Sequence, residues 1–229
     1  MTTPCSTTTT ARFLLLGDSH AGPIGRAATA AGIPFAGGPM GSGRDFTAAF
    51  LDVTDGDVVF RKDEADQLYR TFLAELGAPG LAGLSVPVVS TFGLAAHFFA
   101  TKQNWHIYRA GDDWLPGFLT SRLLDGIIRA MARDALAFYR YAKVLELRVL
   151  AVLPPQRVPD MADPEVFQAA QEVLRRALLD LGVEIVDLRA RVTGETGTQR
   201  PELCERDDPI HGNLAFGRLI LADLLDRGL

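Results

Sequence analysis

Three side chains near the two ends of the sequence have the chemistry needed for acyl transfer. Ser19 comes directly after a short apolar run, and His211 lies three residues after Asp208 near the other end. A serine hydroxyl is a weak nucleophile unless a base takes its proton, and a histidine oriented by a carboxylate is such a base. Because Pro209 restricts the backbone between them, Asp208 can fold back and accept the imidazole N–H of His211. The pattern predicts a triad with Ser19 as nucleophile and His211 as general base.

Each half of this pattern also has an ordinary structural explanation. Asp18 and Ser19 are residue types that commonly cap helices, and a loop histidine with acidic neighbours is usually solvated. Both segments, however, fall where a predicted strand gives way to a helix, and together they supply every member of a triad. This coincidence favours catalysis.

The elements that must position these residues follow from the hydrophobic pattern. Short apolar runs alternate with amphipathic segments of helical length, which predicts a parallel sheet covered on both faces, a three-layer α/β/α sandwich. Buried strands are expected at residues 12–16, 33–36, 57–60, 86–91, 148–153 and 184–188. The clearest helices are expected at residues 119–147, 164–181 and 213–226.

The predicted fold places the serine where ligands gather. In an open α/β sheet, ligands bind beyond the carboxyl ends of the strands, and Ser19 follows the first of them. The next helix would direct its N-terminal N–H groups and its positive dipole end toward a developing oxyanion.

The motifs at the two ends resemble those of a known family. Gly17-Asp18-Ser19, with Asp208 and His211 near the other end, is similar to the first and last blocks of the SGNH/GDSL hydrolases. The resemblance implies a mostly parallel, flavodoxin-like sheet and ester, thioester or related acyl chemistry through a covalent acyl-serine, with neither a metal nor a cofactor. His20 stands where the family commonly has leucine.

The resemblance also implies an oxyanion hole. Its donors would be the N–H of Ser19 and of a glycine in the family's second block. The glycine-rich loop at residues 37–45 lies at that place, and Gly43 is the choice because it precedes a helix. Gly38 and Gly41 remain alternatives, and a flexible turn is the structural explanation for all of them.

The third block departs from the family pattern. Where the family has Gly-x-Asn, with asparagine as a further oxyanion donor, this chain has Gly93-Leu94-Ala95. Loss of one such donor typically costs about a hundred- to a thousandfold in rate. His97 is the expected substitute. The backbone near Gly93, the loop that carries Asn104 and a purely structural role for His97 remain alternatives.

Further residues are expected to contact the substrate. They are Asp18, His20, Gly93 and Trp105. The aromatic segment 98–116 has no clear period and is either a lid over the crevice or a surface excursion that covers the core.

The amino-acid composition indicates which classes of binding partner are favoured. The chain has 229 residues, 48% of them hydrophobic, and a net charge of −5 without a long charged block. This balance disfavours nucleic acid and membrane surfaces and favours a small-molecule acyl substrate. One domain at residues 11–229 is expected after a disordered leader at 1–10. Two cysteines and no recognisable signal peptide favour a cytoplasmic location, and the oligomeric state stays unknown.

The sequence is also compatible with two other functions. An acyltransferase would use the same triad, with an alcohol or amine in place of water. A non-catalytic binding protein would keep the crevice with a degenerate oxyanion hole, and the missing asparagine supports it. The intact pair of Asp208 and His211 opposes it, because a binding protein does not require a general base.

Overall fold

A computed structural model describes residues 11–229, so the expected leader and Cys5 lie outside the described residues. The strands are β1 (Leu14–Gly17), β2 (Ala36–Pro39), β3 (Leu51–Thr54), β4 (Asp57–Phe60), β5 (Val88–Ser90), β6 (Arg109–Ala110), β7 (Asp113–Trp114), β8 (Val149–Val152) and β9 (Glu184–Val186). The α-helices are α1 (Ala21–Ala30), α2 (Asp63–Glu75), α3 (Ala96–Phe99), α4 (Arg122–Met131), α5 (Arg133–Val144), α6 (Pro164–Asp180), α7 (Arg189–Val192) and α8 (Leu214–Asp226).

The central sheet has five parallel strands in the order β2-β1-β5-β8-β9. Strand β1 lies between β2 and β5, with Leu16 opposite Gly38 on one side and Ser90 on the other. This is the flavodoxin-like order, and the chain reverses its direction of winding at β1. The segments that follow β1, β2 and β5 therefore meet at one end of the sheet, and the predicted fold class is confirmed.

Alternating side chains of the strands supply two separate cores. On one face, Leu15, Val89 and Leu150 pack against α1 and α8. On the other face, Leu14, Leu16 and Val88 pack against α2, α5 and α6. Successive side chains of a strand point to opposite faces, so continuous apolar runs are what a doubly covered sheet requires. No helix within residues 11–229 is both long and apolar enough to cross a bilayer.

The expected strand at residues 57–60 exists but does not join the central sheet. Strand β4 pairs antiparallel with β3, and Thr54 lies opposite Asp57. The two residues between them are Asp55 and Gly56, and Gly56 has a φ of +77°. Asp-Gly is a strong signal for a two-residue hairpin because its residues tolerate positive φ. The assignment of this strand to the parallel sheet was therefore wrong.

The single helix expected at residues 119–147 is two helices, α4 and α5. Ala132 separates them, and the carbonyl oxygen of Met131 accepts a hydrogen bond from the N–H of Ala48, 2.6 Å away. The carboxylate of Asp134 accepts the N–H groups of Phe50 and Leu51 at 2.6 and 3.1 Å. The loop before β3 thus binds at the helix break, and this tertiary contact interrupts a continuous apolar period.

The second strand is displaced from its expected position at residues 33–36. Strand β2 begins at Ala36 and continues through Gly37 and Gly38. A Cβ atom on Gly37 would lie 2.0 Å from the carbonyl oxygen of Leu15. Glycine therefore lets β2 approach β1, although its lack of a side chain hides this strand from an analysis of hydrophobic pattern.

Helices α1 and α8 make the closest contact between elements that flank the predicted triad. A Cβ atom on Gly217 would lie 2.1 Å from the carbonyl oxygen of Pro23. The two backbones can therefore approach only because residue 217 is glycine. Helix α1 begins two residues after Ser19, and α8 begins three residues after His211, so this contact fixes the distance between the two segments.

The Gly217→Ala substitution is expected to destabilise the protein by about 1–3 kcal/mol, because the added methyl group collides with backbone that cannot move freely. Urea unfolding measures the change. The matched control is Gly126→Ala within α4, where an added Cβ meets no atom within 4 Å. This control should be neutral or stabilising by up to about 1 kcal/mol through helix propensity. Equal stability of both variants would contradict the close approach of α1 and α8.

Candidate active site

The structure brings Ser19, His211 and Asp208 together in one chain of hydrogen bonds. His211 Nε2 lies 2.7 Å from Ser19 Oγ, although 192 positions separate the two residues. His211 Nδ1 lies 2.7 Å from Asp208 Oδ2. Because one ring nitrogen faces the carboxylate, the tautomer with the proton on Nδ1 leaves Nε2 free to accept the serine proton. The side chains of His211 and Asp208 are partly exposed, so the site is open to solvent.

A tight turn holds Asp208 and His211 in this relation. Asp208 Oδ1 accepts the backbone N–H groups of Ile210 and His211, each at 2.8 Å. Partial burial raises the pKa of Asp208, but these hydrogen bonds and the imidazole outweigh it and lower the pKa to about 2. The carboxylate is therefore ionised throughout the neutral range and able to stabilise an imidazolium.

The turn that carries Ser19 is fixed by contacts with the end of β5. Asp18 Oδ1 accepts the hydroxyl of Thr91 at 2.9 Å and the backbone N–H of His20 at 2.9 Å. The N–H of Asp18 donates to the oxygen of Thr91 at 3.2 Å. A Cβ atom on Gly17 would lie 2.0 Å from this same oxygen, so glycine is required there. Ser19 therefore lies on a turn that hydrogen bonds of the buried residues Asp18 and Thr91 hold in place.

Asp18 was expected to contact the substrate, but it lies inside the protein. It is fully buried, which leaves no surface for contact with substrate, and its Oδ2 has no hydrogen-bond partner. Burial raises the pKa of Asp18 to about 6, against the lowering effect of its hydrogen bonds to His20 and Thr91. Asp18 supports the serine turn instead of binding substrate.

His20 and His97 form a buried pair beside the triad. The ring of His20 lies 5.0 Å from that of His211 and 5.9 Å from that of His97. Burial is the main cause that lowers the pKa of each to about 3, and the neighbouring histidines contribute to the lowering. Both rings are therefore uncharged at neutral pH. Three of their nitrogens, both of His20 and Nε2 of His97, are enclosed and have no hydrogen-bond partner.

Of the three candidate glycines, Gly43 packs against the position of the missing asparagine. A Cβ atom on Gly43 would lie 2.9 Å from Cβ of Ala95 and 2.7 Å from the ring of Phe98. At Gly38 no atom lies within 4 Å, and at Gly41 the nearest is a carboxylate oxygen of Asp45. Among the described residues, the N–H groups of Gly43 and Ser19 donate to no protein acceptor. Both are therefore available to a ligand.

Two expected substrate contacts lie inside the protein. Trp105 is 2% exposed, and its indole N–H donates to the carbonyl of Phe99 at 2.8 Å. Gly93 is buried, and a Cβ atom on it would lie 2.3 Å from Cβ of Ala135. Neither residue has a free surface for substrate, so both expectations fail. An apolar tryptophan in a segment without period looks the same in sequence whether it covers a site or fills the core.

The segment 98–116 lies at the surface over the core, with Phe99, Ala100 and Trp105 buried and most of its other residues exposed. Stacked aromatic rings of Tyr108, Trp114 and Phe118 fix it, with ring centroids 4.3 and 5.6 Å from Phe118. The hairpin of β6 and β7 is held by Arg109, which pairs with Asp163 at 2.6 Å. These contacts favour the surface excursion over the lid.

Two contacts of the site were not found from the sequence. The sequence analysis included Thr91 only as the last residue of a predicted strand. A polar residue at the end of a buried strand was the one signal that could have indicated its contact with the site. Arg157 donates from Nη1 to the carbonyl of His211 at 2.8 Å, and no local pattern marks it. The described residues contain no group of three or more His, Cys, Asp or Glu side chains that could hold a metal ion.

Comparison with known proteins connects this geometry to a fold. No family model and no curated protein sequence matches the chain. Solved structures do. A lipase/acylhydrolase from Enterococcus faecalis matches over 94% of this chain and 94% of its own, with a TM-score of 0.50 and 16% identity. A structure from Desulfitobacterium hafniense, described as a lipolytic protein of the G-D-S-L family, matches over 95% and 99%, with a TM-score of 0.52 and 12% identity.

The chain has the GDSL-hydrolase fold. A structure from Bacteroides fragilis described as an acylhydrolase agrees, with a TM-score of 0.50, 14% identity and coverage of 94% of this chain and 85% of its own. The resemblance inferred from the two terminal motifs is therefore confirmed for the fold. Within the GDSL-hydrolase fold, Ser19 follows the first strand of the sheet and His211 precedes the last helix.

Asp18 makes the stability of the protein depend on pH in a defined direction. Its pKa is higher in the folded state than the ordinary aspartate value of 3.8, so the native state binds its proton more tightly. The stabilisation is present below about pH 4 and is lost as the pH rises through about 6, a change of roughly 3 kcal/mol. Asp18→Asn does not titrate.

Urea unfolding of Asp18→Asn and of the unsubstituted protein should therefore be compared between pH 4 and pH 7. The variant is expected to gain stability relative to the unsubstituted protein as the pH rises through this interval. The difference between the two proteins isolates Asp18, because their other groups titrate alike. A difference that stays constant with pH would show that Asp18 has an ordinary pKa.

Proposed function

We propose that this protein is a serine esterase that hydrolyses an ester of a small organic substrate through a covalent acyl-Ser19 intermediate. The observation that carries the proposal is the continuous hydrogen-bonded chain from Ser19 Oγ through His211 to Asp208, with 2.7 Å at both steps. A solvated loop histidine has no reason to meet a serine from the far end of the sequence. The GDSL-hydrolase fold adds support, because similar structures are described as lipases and acylhydrolases.

The first half of the proposed reaction forms the acyl-enzyme. Ser19 Oγ attacks the carbonyl carbon of the ester while its proton passes to His211 Nε2, which gives a tetrahedral oxyanion and an imidazolium. Asp208 stabilises the imidazolium through the hydrogen bond to Nδ1. The oxyanion then re-forms the carbonyl, the C–O bond to the leaving group breaks, and the leaving oxygen takes the proton from His211. The products are the alcohol and acyl-Ser19.

The second half repeats these steps with water. His211 takes a proton from the water as its oxygen attacks the acyl carbon, and the same proton returns to Ser19 Oγ when the ester bond breaks. An acyltransferase would use an alcohol or amine in place of water at this step, and a thioester would differ only in its leaving group. These variants, a cytoplasmic location and the small-molecule partner stay predictions.

Three groups would stabilise the oxyanion. The free N–H groups of Ser19 and Gly43 are the backbone donors. His97 is the third candidate, because its pKa near 3 keeps it a neutral imidazole with one N–H at neutral pH. Its Nε2 is enclosed. The donor would therefore be Nδ1, and a donor held in place before the reaction costs no reorganisation during it.

The first test is labelling with a fluorophosphonate, which reacts with activated serines. The unsubstituted protein should gain one adduct in intact-protein mass spectrometry, and Ser19→Ala should gain none. His211→Ala should lose the adduct and ester hydrolysis, because no base then accepts the proton. Asp208→Asn should reduce kcat by a smaller factor than His211→Ala, as expected for an orienting group.

Each variant should unfold in urea close to the unsubstituted protein, because Ser19, Asp208 and His211 are partly exposed and lie outside the core. His106→Ala is the matched control, since His106 is exposed and its ring bonds only to the carbonyl of Gln103. An unlabelled, folded protein would favour the binding-protein function. Labelling that persists in Ser19→Ala would place the nucleophile elsewhere.

A separate prediction concerns His97. If its ring donates to the oxyanion, His97→Ala should lower kcat by about a hundredfold with little change in KM, the typical cost of one lost donor. His97→Phe fills the same space without an N–H and should show the same loss, which separates donation from packing. Steady-state kinetics with 4-nitrophenyl acetate measure both. Recovery of activity in His97→Phe would make the role of His97 purely structural.

A further inference from the structure

The ring of His20 lies against the general base of the proposed reaction. Its centroid is 5.0 Å from that of His211, and the two ring planes are tilted by 49°. His20 is 5% exposed, and its side chain takes no part in the hydrogen bonds that join Ser19, His211 and Asp208. A ring so enclosed can influence the reaction only through the residues that it contacts. Of these, His211 is the one that carries the proton.

Two contacts limit the movement of the His20 ring. The backbone N–H of His20 donates to Asp18 Oδ1 at 2.9 Å, so the residue belongs to the turn that carries Ser19. The ring of His97 meets the ring of His20 edge to face, with centroids 5.9 Å apart and an interplanar angle of 83°. The position of the ring beside His211 is therefore set by packing, and the nitrogens of the ring are not used to hold it.

Packing alone does not explain why this residue is a histidine. Both ring nitrogens of His20 are enclosed, and among the described residues neither has a hydrogen-bond partner. An enclosed polar group without a partner destabilises the folded state, whereas an apolar side chain of similar volume would make the same contacts without that penalty. The nitrogens therefore call for a role in the reaction.

His20 provides a neutral dipole and not a second base. Burial is the main cause that lowers its pKa to about 3, so the ring does not take up a proton at neutral pH. A neutral imidazole has one N–H donor and one acceptor nitrogen, and a hydrogen bond to one of them normally decides which carries the proton. Because neither nitrogen of His20 has a partner within the described chain, either one can be the acceptor. The acceptor can therefore be the nitrogen closer to His211.

The charge that this dipole would meet is formed in the proposed reaction itself. His211 becomes an imidazolium when it takes the proton of Ser19 or of the attacking water. Electrostatic interactions are stronger in a weakly hydrated site than in bulk water. An acceptor nitrogen beside the ring would stabilise the imidazolium much more than the neutral ring that precedes it. An interaction that strengthens toward the transition state raises the rate.

We propose that His20 is a positioning residue that stabilises the imidazolium form of His211 through the acceptor nitrogen of its ring. The inference rests on the proposed esterase function and deepens it by adding a residue that acts through the general base. Asp208 and His20 then act on the same ring, Asp208 through a hydrogen bond to Nδ1 and His20 through its dipole.

Ionisable side chains from several elements surround His211, and one of them titrates near neutral pH. Burial raises the pKa of Asp18 to about 6. Asp18 accepts the backbone N–H of residue 20, which a substitution of the His20 side chain retains, so Asp18 should titrate alike in the proteins compared below. The surrounding groups are Asp208 in the same loop, Asp18 and His20 between β1 and α1, His97 in α3, and Arg157 after β8, which donates to the His211 carbonyl.

The test replaces the ring of His20 in two ways. His20→Leu removes the nitrogens at a similar volume, and His20→Phe removes them but keeps a planar ring against His211. Steady-state hydrolysis of 4-nitrophenyl acetate between roughly pH 5 and pH 9 gives kcat, KM and the pH at which kcat/KM is half of its maximum. Each variant should lower kcat by about three- to tenfold with little change in KM, because His211 is then a weaker base.

Two further readouts separate this effect from a packing defect. The half-maximum of kcat/KM should move to lower pH by about 0.5–1 unit, because an imidazolium without its stabilising neighbour releases its proton more readily. His20→Leu should also unfold at a higher urea concentration than the unsubstituted protein, since two unpaired nitrogens are gone. A residue that served only packing would lose stability on substitution and leave the pH profile unchanged.

Gln171→Leu is the matched control. Gln171 is 1% exposed in α6, and both of its amide atoms also lack partners within residues 11–229. Helix α6 packs on the opposite face of the sheet from α1 and α8. The control therefore removes two unpaired buried atoms, as His20→Leu does, but far from the general base. It should raise stability and change neither kcat nor the pH profile.

A measurement on the unsubstituted protein tests the same proposal without a variant. Nitrogen-15 NMR of the histidine side chains distinguishes a neutral imidazole from an imidazolium. His20 should stay neutral at every pH at which His211 changes its charge, because a dipole and not a second cation is required beside the imidazolium. A charged His20 in that range would overturn the proposal.

Three kinetic results would also overturn it. Both variants of His20 keep the kcat and the pH profile of the unsubstituted protein, kcat falls without a shift of the profile, or His20→Phe keeps the full rate that His20→Leu loses. The esterase function stands in each case, because Ser19-dependent labelling by fluorophosphonate reports on it separately. Absence of that labelling would instead remove the esterase function together with the role of His20 that rests on it.

Discussion

The close approach of two helices sets the geometry on which the site depends. Only glycine at position 217 allows α8 to lie against the Pro23 carbonyl of α1. The segments just before these helices carry His211 and Ser19, so the contact between the helices helps to position the two side chains whose Nε2 and Oγ atoms lie 2.7 Å apart. Long-range order of this kind is expensive in chain entropy, and the burial of apolar surface on the shared face of the sheet offsets it.

Electrostatics within the site give the three histidines unequal roles. His20 and His97 are neutral because burial lowers their pKa to about 3. His211 is the histidine with a carboxylate partner, and that carboxylate remains ionised because backbone N–H groups hold its pKa near 2. A proton released by Ser19 therefore has one favourable destination. Two uncharged rings beside it provide a polar but weakly hydrated wall, in which the oxyanion of the proposed reaction would be stabilised more strongly than in water.

The sequence predicts the parts of this molecule that depend on local chemistry. The alternation of apolar runs and helices indicates the layered fold, and the two motifs indicate the residues that meet at the end of β1. The sequence does not predict contacts between residues that are far apart along the chain. The break between α4 and α5 coincides with the hydrogen bond from the Ala48 N–H to the Met131 carbonyl. Asp18 is buried beside Thr91, which follows β5 and donates its hydroxyl to the Asp18 carboxylate. The same limit explains Trp105, whose place in the core depends on the carbonyl of Phe99.

The site contains buried polar atoms without hydrogen-bond partners, which lower the stability of the folded protein. Asp18 keeps one buried carboxylate oxygen unpaired, and His20 keeps two ring nitrogens unpaired. Such groups commonly cost about 1–3 kcal/mol each, and they concentrate within two residues of Ser19. Nε2 of His97 is also unpaired, and the other buried side-chain atoms without a partner among the described residues are the two amide atoms of Gln171 in α6. Apart from Gln171, the unpaired polar groups thus lie around Ser19, where the proposed reaction would need a prepared environment.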